Sequence, residues 1–540
     1  MSTESARQQT TLFSQLISAC LRQKLLVLLI SALLVVVGVG YAPFGWQTGI
    51  PLKPVAVDAI PNLGENQQIV FTEWPGRSPQ DVEDQLSYPL SVALMGVAGV
   101  KDVRTLSMFG FSSIAVIFDD SVEFYWSRSR LLEKLASLPA DTLPAGVQPS
   151  LGPDATALGQ VFWYTLEGRD PSGNTTSGWD LDELRSIQDW YLRSGLLAAE
   201  GISEVASIGG YQREYQIEVD PDLLRIYQVS LADVTNAVMA ANLDVSAGSR
   251  ELNGVEYLLR GVGLVKNLSD IEQAVVRLAP DNTPITVADV AKVSTGPAQR
   301  RGALDVAGAE AVGGVVTVRQ GYNPRQAIDN IYAKLNQVSR GLPVKAVIDW
   351  QHNSASQVAD FAKANGLPAW GSENGQWTTF LQQQPADSWP QWLTLSQLTV
   401  VPFYDRSELI NETLGTLEQA LSLQILITII VVLVLLWHLR AVFAVSIMLP
   451  LAVLLSFIGM KLFAVEANIV ALAGIAIAIG TIVDMAIIVS ENLIRQRQLQ
   501  PALSAYAAVQ RAMQEVGPAI VTAISTTIVS FLPVFSMTGA

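Results

Sequence analysis

Asp484 is a carboxylic acid in the middle of the apolar stretch Ile469–Val489. Of all residues in this sequence, its side-chain type and position point most directly to a chemical role. About 20 apolar residues are enough to cross a bilayer, so the stretch predicts a membrane helix with an acid inside it. An ionised carboxylate in hydrocarbon costs on the order of 2.5–3.5 kcal/mol, and it needs a partner, a wet cavity or a proton. A group that must take up a proton is well placed to carry protons. The alternative is a structural hydrogen bond between helices.

Other polar residues lie close to Asp484 or within a later apolar block. Thr481 is one helical turn before Asp484 and shares its face. Glu491 follows on the same face near the predicted membrane boundary, either as a proton exit or as an interfacial charge. Three adjacent hydroxyl residues lie in the middle of the later block: Ser525, Thr526 and Thr527. They either hydrate a proton path or hold helices together.

The composition is that of a membrane protein with a large water-exposed part. Half of the 540 residues are hydrophobic and 15% are charged, whereas soluble domains contain roughly 25% charged residues. The apolar residues concentrate in five blocks that predict transmembrane helices: Leu25–Tyr41, Leu421–Trp437, Ala441–Met460, Ile469–Val489 and Pro518–Met537.

Basic residues flank these blocks on alternate sides and indicate the orientation. The positive-inside rule places residues 1–24 in the cytoplasm and residues 42–419 outside, with the later spans in residues 421–540. The first block, residues 25–41, is interpreted as an anchor rather than a cleaved signal peptide. It is long, and no clean small-x-small site precedes Pro43.

Composition and missing motifs argue against several functions. The sequence has one cysteine, Cys20, and two histidines, His352 and His438, too few for a Cys/His zinc site within this chain. The net charge of −15 argues against nucleic acid as a partner. No phosphate loop, nucleophile elbow or metal-hydrolase motif is present, so we expect neither an enzyme nor a bound cofactor.

The outer region contains a duplicated pattern of strands and helices. Residues 42–158 read as β-α-β-β-α-β, beginning with a strand at Gln68–Trp74. The pattern recurs in residues 159–209 and resumes in residues 303–350, after an insert of residues 210–302. Each copy predicts a ferredoxin-like unit, so the expected fold class is an α+β membrane protein.

Residues 351–400 form a second insertion that is rich in Gln, Asn, Ser and Trp. Four tryptophans lie in it: Trp370, Trp377, Trp389 and Trp392. They form either a satellite hydrophobic core, which is favoured, or a ligand surface. Residues 401–420 are interpreted as a linker that leads into the membrane.

A series of motifs carries a resemblance to a known family. They are Val57–Pro61, Tyr88–Leu90, Tyr125–Arg128, Leu151–Thr156, Leu184–Trp190, Tyr404–Ser407, Val483–Asp484 and Glu491–Asn492. Together they resemble the resistance–nodulation–division (RND) permeases, and within them the copper/silver type of the heavy-metal efflux branch. The motifs cover nearly the whole chain except residues 351–400.

The resemblance implies a role for each segment. Residues 42–158 and the split unit of residues 159–209 and 303–350 correspond to porter subdomains, and residues 210–302 to the docking subdomain that holds a trimer together. Such permeases are proton-driven homotrimers of the inner membrane, joined to a periplasmic adaptor and an outer-membrane channel. They consist of two tandem halves, and this chain resembles a first half that stops after its fifth span.

The resemblance also implies a function for Asp484 as the proton-relay acid of the fourth span. In the family, a lysine from the second half faces this aspartate, and no Lys or Arg lies inside any predicted span here. The copper/silver branch carries methionine pairs along the same span, where this sequence has Val470, Ile482 and Val489. Thioether ligands of that kind suit soft copper(I) and silver(I) ions.

The remaining matches bear on the transported substrate. The zinc/cobalt branch carries an extra aspartate six residues before the relay acid, where this sequence has Ala478, and Arg104 matches a charged channel residue of the copper/silver type. No metal ligand is assigned, and three scattered methionines are expected to lie in hydrophobic cores: Met95, Met108 and Met239. The expected substrate is a metal cation, with Cu(I) and Ag(I) ahead of Zn(II), Co(II) and Cd(II). An exporter of amphipathic organic compounds and a truncated, non-transporting subunit are the alternatives.

Overall fold

The computed structural model describes residues 12–46, 49–61, 64–300, 302–351, 353–371, 374–436 and 439–533. The chain divides into two compact units. One contains Met1–Phe162, Thr317–Asn330 and Tyr404–Ala540, and the other contains Trp163–Val316 and Ile331–Phe403. Each unit has hydrophobic cores of its own.

The described residues begin with the helices α1 (Leu12–Arg22) and α2 (Lys24–Tyr41), and an α/β unit follows. Its elements are β1 (Gln67–Glu73), α3 (Pro79–Val82), α4 (Tyr88–Met95), β2 (Val100–Met108), β3 (Phe111–Phe118), α5 (Phe124–Ala136) and β4 (Pro149–Leu151). The strands form an antiparallel sheet in the order β2-β3-β1-β4. Val70, Leu90, Ile114 and Leu131 are fully buried between this sheet and its helices, so burial of one face of each element holds the unit together.

A second α/β pattern follows, with an insert after its first half. Its first elements are β5 (Gln160–Arg169), β6 (Thr175–Thr176), α6 (Leu181–Ile187), α7 (Arg193–Leu197) and β7 (Ile202–Gly209). The insert contains β8 (Arg213–Val219), α8 (Pro221–Tyr227), α9 (Leu231–Ala241), β9 (Val245–Leu252), β10 (Val255–Gly261), α10 (Leu268–Glu272), β11 (Val275–Leu278), β12 (Pro284–Thr286), α11 (Val287–Val290) and β13 (Ala291–Pro297). In the insert, β8 pairs with β13, and the hairpin β9–β10 is exposed along its whole length.

The second pattern then resumes and shares a sheet with its first half. The elements are β14 (Leu304–Val306), β15 (Ala309–Val318), α12 (Pro324–Val338), β16 (Val344–Ile348), α13 (Ala355–Ala364), α14 (Asn374–Gln382) and β17 (Leu393–Asp405). The sheet order is β14-β15-β5-β17-β16, with β7 paired to β15 and β6 paired to β5.

The two α/β patterns share local details that support a duplication. A π-helical turn interrupts the first long helix of each, at Glu83–Ser87 and at Gln188–Leu192. The glycine before the next strand has a left-handed backbone in both, with φ of 82° at Gly99 and 88° at Gly201. Glycine adopts this conformation without the steric penalty of a side chain.

The segment after residue 350 differs from the sequence interpretation. β17 lies between β5 and β16, so residues 393–400 belong to a sheet rather than to a separate insertion. Residues 401–420, interpreted as a linker, are the end of β17 and the beginning of a long helix. The polar composition hid a strand whose buried positions include Leu393, Ser396 and Leu398.

The tryptophans of this segment pack as a satellite core, as the favoured interpretation predicts. Trp377 is fully buried, and Phe361 and Trp370 contact its ring at centroid distances of 6.1 Å and 5.0 Å. Trp389 and Trp392 pack at the edge of the same cluster. The core gains its stability from apolar burial.

Four long helices follow in the described residues: α15 (Arg406–Leu436), α16 (Leu439–Leu462), α17 (Ile469–Leu499) and α18 (Ala505–Phe531). Within the described residues, four helices are long and apolar enough to cross a membrane, namely α2, α15, α16 and α17. The predicted fifth span, Pro518–Met537, lies in α18 as far as Phe531, and its end at residues 534–537 is outside the described residues. A fifth span therefore stays a prediction.

Close packing joins these helices. A side-chain carbon at Gly38 of α2 would lie 2.6 Å from Cβ of Leu454, so the glycine lets α2 approach α16. Phe457 of α16 and Leu472 and Ile479 of α17 are buried in the same core. This packing gives α17 one buried face and one face that the described residues leave uncovered.

Candidate functional site

Asp484 lies near the middle of α17, on the uncovered face. Ile477, Thr481, Asp484 and Ile488 follow one another at helical spacing, and all are exposed in this chain. Among the described residues, no hydrogen bond or ion pair to the Asp484 carboxylate is found. The structure therefore presents the acid on an open stripe of an apolar helix.

The neighbouring polar residues predicted from the sequence do not bond to Asp484. Thr481 is exposed and donates its hydroxyl to the carbonyl oxygen of Ala478 at 2.8 Å, and Glu491 is exposed on the same face. Three hydroxyl residues of α18 are exposed: Ser525, Thr526 and Thr527. The two threonines donate to carbonyls of their own helix at 2.8 Å and 3.0 Å. Their hydrogen bonds satisfy the hydroxyls locally.

A buried polar contact lies beside Glu491, and the sequence reasoning missed it. Asn492 is 6% exposed and donates to the carbonyl oxygen of Ala512 in α18 at 3.0 Å and to Glu515 at 3.3 Å. Gln496, one turn further on, also donates to Glu515. The signal available was an amide pair at i, i+4 spacing at the end of an apolar stretch.

Asp58, Arg406 and Glu466 form a charged group, here called the outer cluster, that the sequence reasoning did not single out. Nε of Arg406 lies 2.8 Å from Oδ1 of Asp58, and the two side chains are 3% and 8% exposed. Nη1 of Arg406 also donates to the carbonyl oxygen of Leu158. The two charges of this ion pair come from motifs named above: Asp58 from Val57–Pro61 and Arg406 from Tyr404–Ser407.

The acids of the outer cluster have shifted affinities for protons. Burial raises the pKa of the Asp58 carboxyl above its usual value, although the Arg406 guanidinium pulls it down. Burial also raises the pKa of Glu466, and the Asp58 carboxylate raises it further, whereas Arg406 lowers it. Desolvation therefore outweighs the attraction of the guanidinium at both carboxyls.

A cavity of about 40 Å³ lies against the outer cluster. Its charged and titratable lining consists of Asp58, Arg406 and Glu466 together with Arg319 and Tyr322. One water molecule needs at least about 10–15 Å³ of such space and two or more polar partners. The cavity is therefore large and polar enough for water to reach the acids.

Hydrogen bonds join the motif Tyr125–Arg128 to the motif Leu151–Thr156, and they support the fold. Arg128 donates to the carbonyl oxygens of Gly152 and Pro153 at 2.6 Å and 3.2 Å. The hydroxyl of Tyr125 lies 3.5 Å from Oδ2 of Asp154. Guanidinium bonds to backbone carbonyls fix the chain after β4 against α5.

Arg104, matched to a channel residue, lies on β2 at the edge of its sheet. It is 65% exposed, with Nε 3.0 Å from Asp102 and Nη1 4.0 Å from Glu65. Exposed pairs of this kind contribute roughly 0.2–1 kcal/mol to stability. A channel role for Arg104 stays a prediction.

The expectation that three methionines are core residues is wrong. Met95, Met108 and Met239 are 60%, 42% and 68% exposed. Met95 follows Tyr88 and Val92 on the exposed face of α4, and Met108 ends an edge strand, so neither position faces a core. In the described part of the chain, no group of three or more His, Cys, Asp or Glu side chains could hold a metal ion.

Comparison with known proteins identifies the class. The sequence profile of the AcrB/AcrD/AcrF family matches residues 16–360 and 394–540, and the chain belongs to this family. It is 35% identical over 493 residues to "Cation efflux system protein CusA" of Escherichia coli (strain K12), spanning 89% of this chain and 42% of that protein. It is 34% identical to "Putative cation efflux system protein SilA" of Salmonella typhimurium, spanning 89% and 41%.

The fold agrees with a solved structure of the same kind. A crystal structure of a heavy metal efflux pump superposes with a TM-score of 0.74 at 27% identity and covers 97% of this chain and 44% of that one. The resemblance to heavy-metal RND permeases is therefore confirmed. The chain spans less than half the length of these relatives.

Proposed function

We propose that this chain is the first half of a proton-driven permease that exports heavy-metal cations. The observation that carries the proposal is the uncovered carboxylate of Asp484 in the middle of α17, an apolar helix of a chain whose relatives are cation efflux proteins. An acid in that position switches between a neutral and a charged form, and its solvation differs between them. Proton uptake and release at Asp484 would thereby drive antiport.

The exported metal is proposed to be Cu(I) or Ag(I) ahead of Zn(II), Co(II) or Cd(II). Support comes from Ala478, because the zinc/cobalt branch places a second acid at that position. The positions of the methionine pairs, Val470, Ile482 and Val489, lack thioethers, so the soft-metal ligands would have to lie elsewhere in the protein. Export of amphipathic organic compounds and a non-transporting subunit are the alternatives, and no observation favours either.

The proposed assembly follows the relatives. The chain would form a homotrimer in the inner membrane of a Gram-negative cell, with residues 42–419 in the periplasm. A periplasmic adaptor and an outer-membrane channel would complete the export path. The insert of residues 210–302 would act as the docking subdomain, and its exposed hairpin β9–β10 is free to contact another protein. Since the relatives are transporters, enzymatic activity is not proposed.

The test is Asp484→Asn in the full-length protein, expressed in a metal-sensitive deletion strain. The substitution keeps the size of the side chain but removes its titration, so resistance should fall to that of the empty vector at an unchanged membrane level. Growth on copper, silver, zinc and cobalt salts identifies the metal. Asp120→Asn, at an exposed turn, is the matched control and should retain resistance. Full resistance of Asp484→Asn would remove the relay role.

A further inference from the structure

The outer cluster joins segments that are distant in the sequence. Asp58 follows α2, Arg406 is the first residue of α15, and Glu466 lies in the loop between α16 and α17. These residues, with Leu158, belong to the same compact unit of the chain. A small shift of one segment must therefore be accommodated by the others or break contacts of the cluster.

Arg406 is the centre of these contacts. Its guanidinium is almost completely buried, pairs with Asp58 at 2.8 Å and donates from Nη1 to the carbonyl oxygen of Leu158. A buried charge that loses its partner is strongly unfavourable, so the pair holds its geometry. The planar guanidinium of arginine lies against the Asp58 carboxylate and bonds to the Leu158 carbonyl at once, a geometry that the single ammonium of a lysine does not reproduce.

The outer end of α17 is attached to this centre through the backbone. The amide of Ala467 donates to the carbonyl oxygen of Ala56 at 2.8 Å, and Ala467 forms a β-bridge with Val57, the residue before Asp58. Asn468 then caps α17 by accepting from the amide of Ala471. Any displacement of α17 along its axis therefore acts on the segment that carries Asp58.

The other end of the connection is the turn before β5. Leu158, which accepts from Arg406, lies in that turn, and the amide of Gly159 donates to the carbonyl oxygen of Thr156 at 2.9 Å. Gly159 has little room, since a side-chain carbon there would lie 2.9 Å from the carbonyl oxygen of Val318. A turn packed this closely moves with the group that holds it.

The charges around Arg406 are unbalanced. Asp58 and Glu466 are two acids beside one buried guanidinium, and Arg319 at the cavity is 3.6 Å from Asp154 instead. Tyr322 is the remaining titratable group in the lining. The attraction that Arg406 feels from the α17 side therefore depends on whether Glu466 is ionised.

We propose that Arg406 is a positioning residue for transport, which links the outer end of α17 to the turn at Leu158 and passes a shift of α17 to the region beyond the membrane. The inference rests on the proposed relay function of Asp484 in α17. The alternative is that the ion pair only stabilises the fold. In that case a change at Asp484 would reach the turn equally well with or without the arginine.

The test is a double-mutant cycle of Asp484→Asn and Arg406→Lys, read by hydrogen exchange of the full-length protein in lipid nanodiscs. The amide of Ala467 reports the α17 side, and the amide of Gly159 reports the turn. Coupling between linked sites typically changes an equilibrium by about fivefold or more. With Arg406 present, Asp484→Asn should change the protection of both amides by that factor. In the Arg406→Lys background, Asp484→Asn should still change the protection of the Ala467 amide, but it should change the protection of the Gly159 amide by less than about twofold.

The outcomes separate the two proposals. A change at Gly159 of the same size in both backgrounds, or no change at either amide, overturns the positioning role of Arg406. The relay function of Asp484 is judged independently, by metal resistance of the Asp484→Asn variant. Arg130→Lys is the matched control, because Arg130 is half exposed and its contacts, with Glu133 at 2.8 Å and with the Trp126 ring at 5.6 Å, lie on the surface of α5. This substitution should leave the cycle unchanged.

Discussion

Trp377→Ala should unfold the satellite core of residues 351–392 without abolishing transport. Trp377 is fully buried. Its ring stacks on Phe361 and contacts Trp370 edge to face, and its Nε1–H donates to the carbonyl oxygen of Pro368 at 3.1 Å. Truncation of a buried tryptophan costs about 3–5 kcal/mol, because apolar burial is lost and a cavity is left. That is a large fraction of the 5–15 kcal/mol that stabilises a typical domain.

The measurement combines limited proteolysis of the purified full-length protein with hydrogen exchange across residues 353–371 and 374–392. Trp377→Ala should make this segment cleavable and unprotected while the protection of β1 and β3 is retained. Trp350→Ala is the matched control: Trp350 is 49% exposed, so its loss should change stability by less than about 1 kcal/mol.

The same variants decide between a core and a ligand surface. The family profile does not match residues 361–393, so a packing role predicts that metal resistance survives Trp377→Ala as long as the protein reaches the membrane. Unchanged protection of the segment would contradict the packing argument. Loss of resistance with normal protection would assign the tryptophans to ligand binding instead.

Two further predictions concern polar groups. Burial raises the pKa of Glu466, so the folded state binds the proton of this carboxyl more tightly than the unfolded state does. The stabilisation that comes from the bound proton is present in acid and is lost as the pH rises through the folded pKa. Glu466→Gln should match the wild type in acid and be more stable at neutral pH in thermal unfolding, and an unaltered pH profile would refute this. Asn492→Ala removes the hydrogen bonds to Ala512 and Glu515 and should lower the free energy of unfolding by about 1–3 kcal/mol, measured as a lower unfolding temperature. Glu491→Gln is the control and should change the unfolding temperature little. Equal effects of the two substitutions would contradict the role of Asn492.

The long apolar helices follow from local composition. Residues 469–489 form a helix because about 20 consecutive apolar residues can bury their backbone polar groups in a bilayer only by internal hydrogen bonds. The acid in that helix was visible for the same reason, since a single charged residue stands out against an apolar run. The strand and helix order of residues 42–158 was equally local, because alternation at period 2 and at period 3.6 is written in neighbouring residues.

Other features depended on residues that meet only in the folded chain. The position of β17 between β5 and β16 is a choice of pairing partners, and a strand's own residues do not state which neighbour it takes. The exposure of Met95 and Met108 has the same origin, because apolar character does not tell which face of an element is covered.

The sequence alone determined which segments are apolar enough to cross a membrane, where an acid lies among them, and which motifs link the chain to its family. Only the tertiary structure decided that Asp58, Arg406 and Glu466 share one site. The physical reason is that helix and strand formation depend on interactions between near neighbours, whereas the environment of a charge depends on every segment that folds against it. The shifted pKa values of Asp58 and Glu466 arise from that burial and exist only in the folded protein.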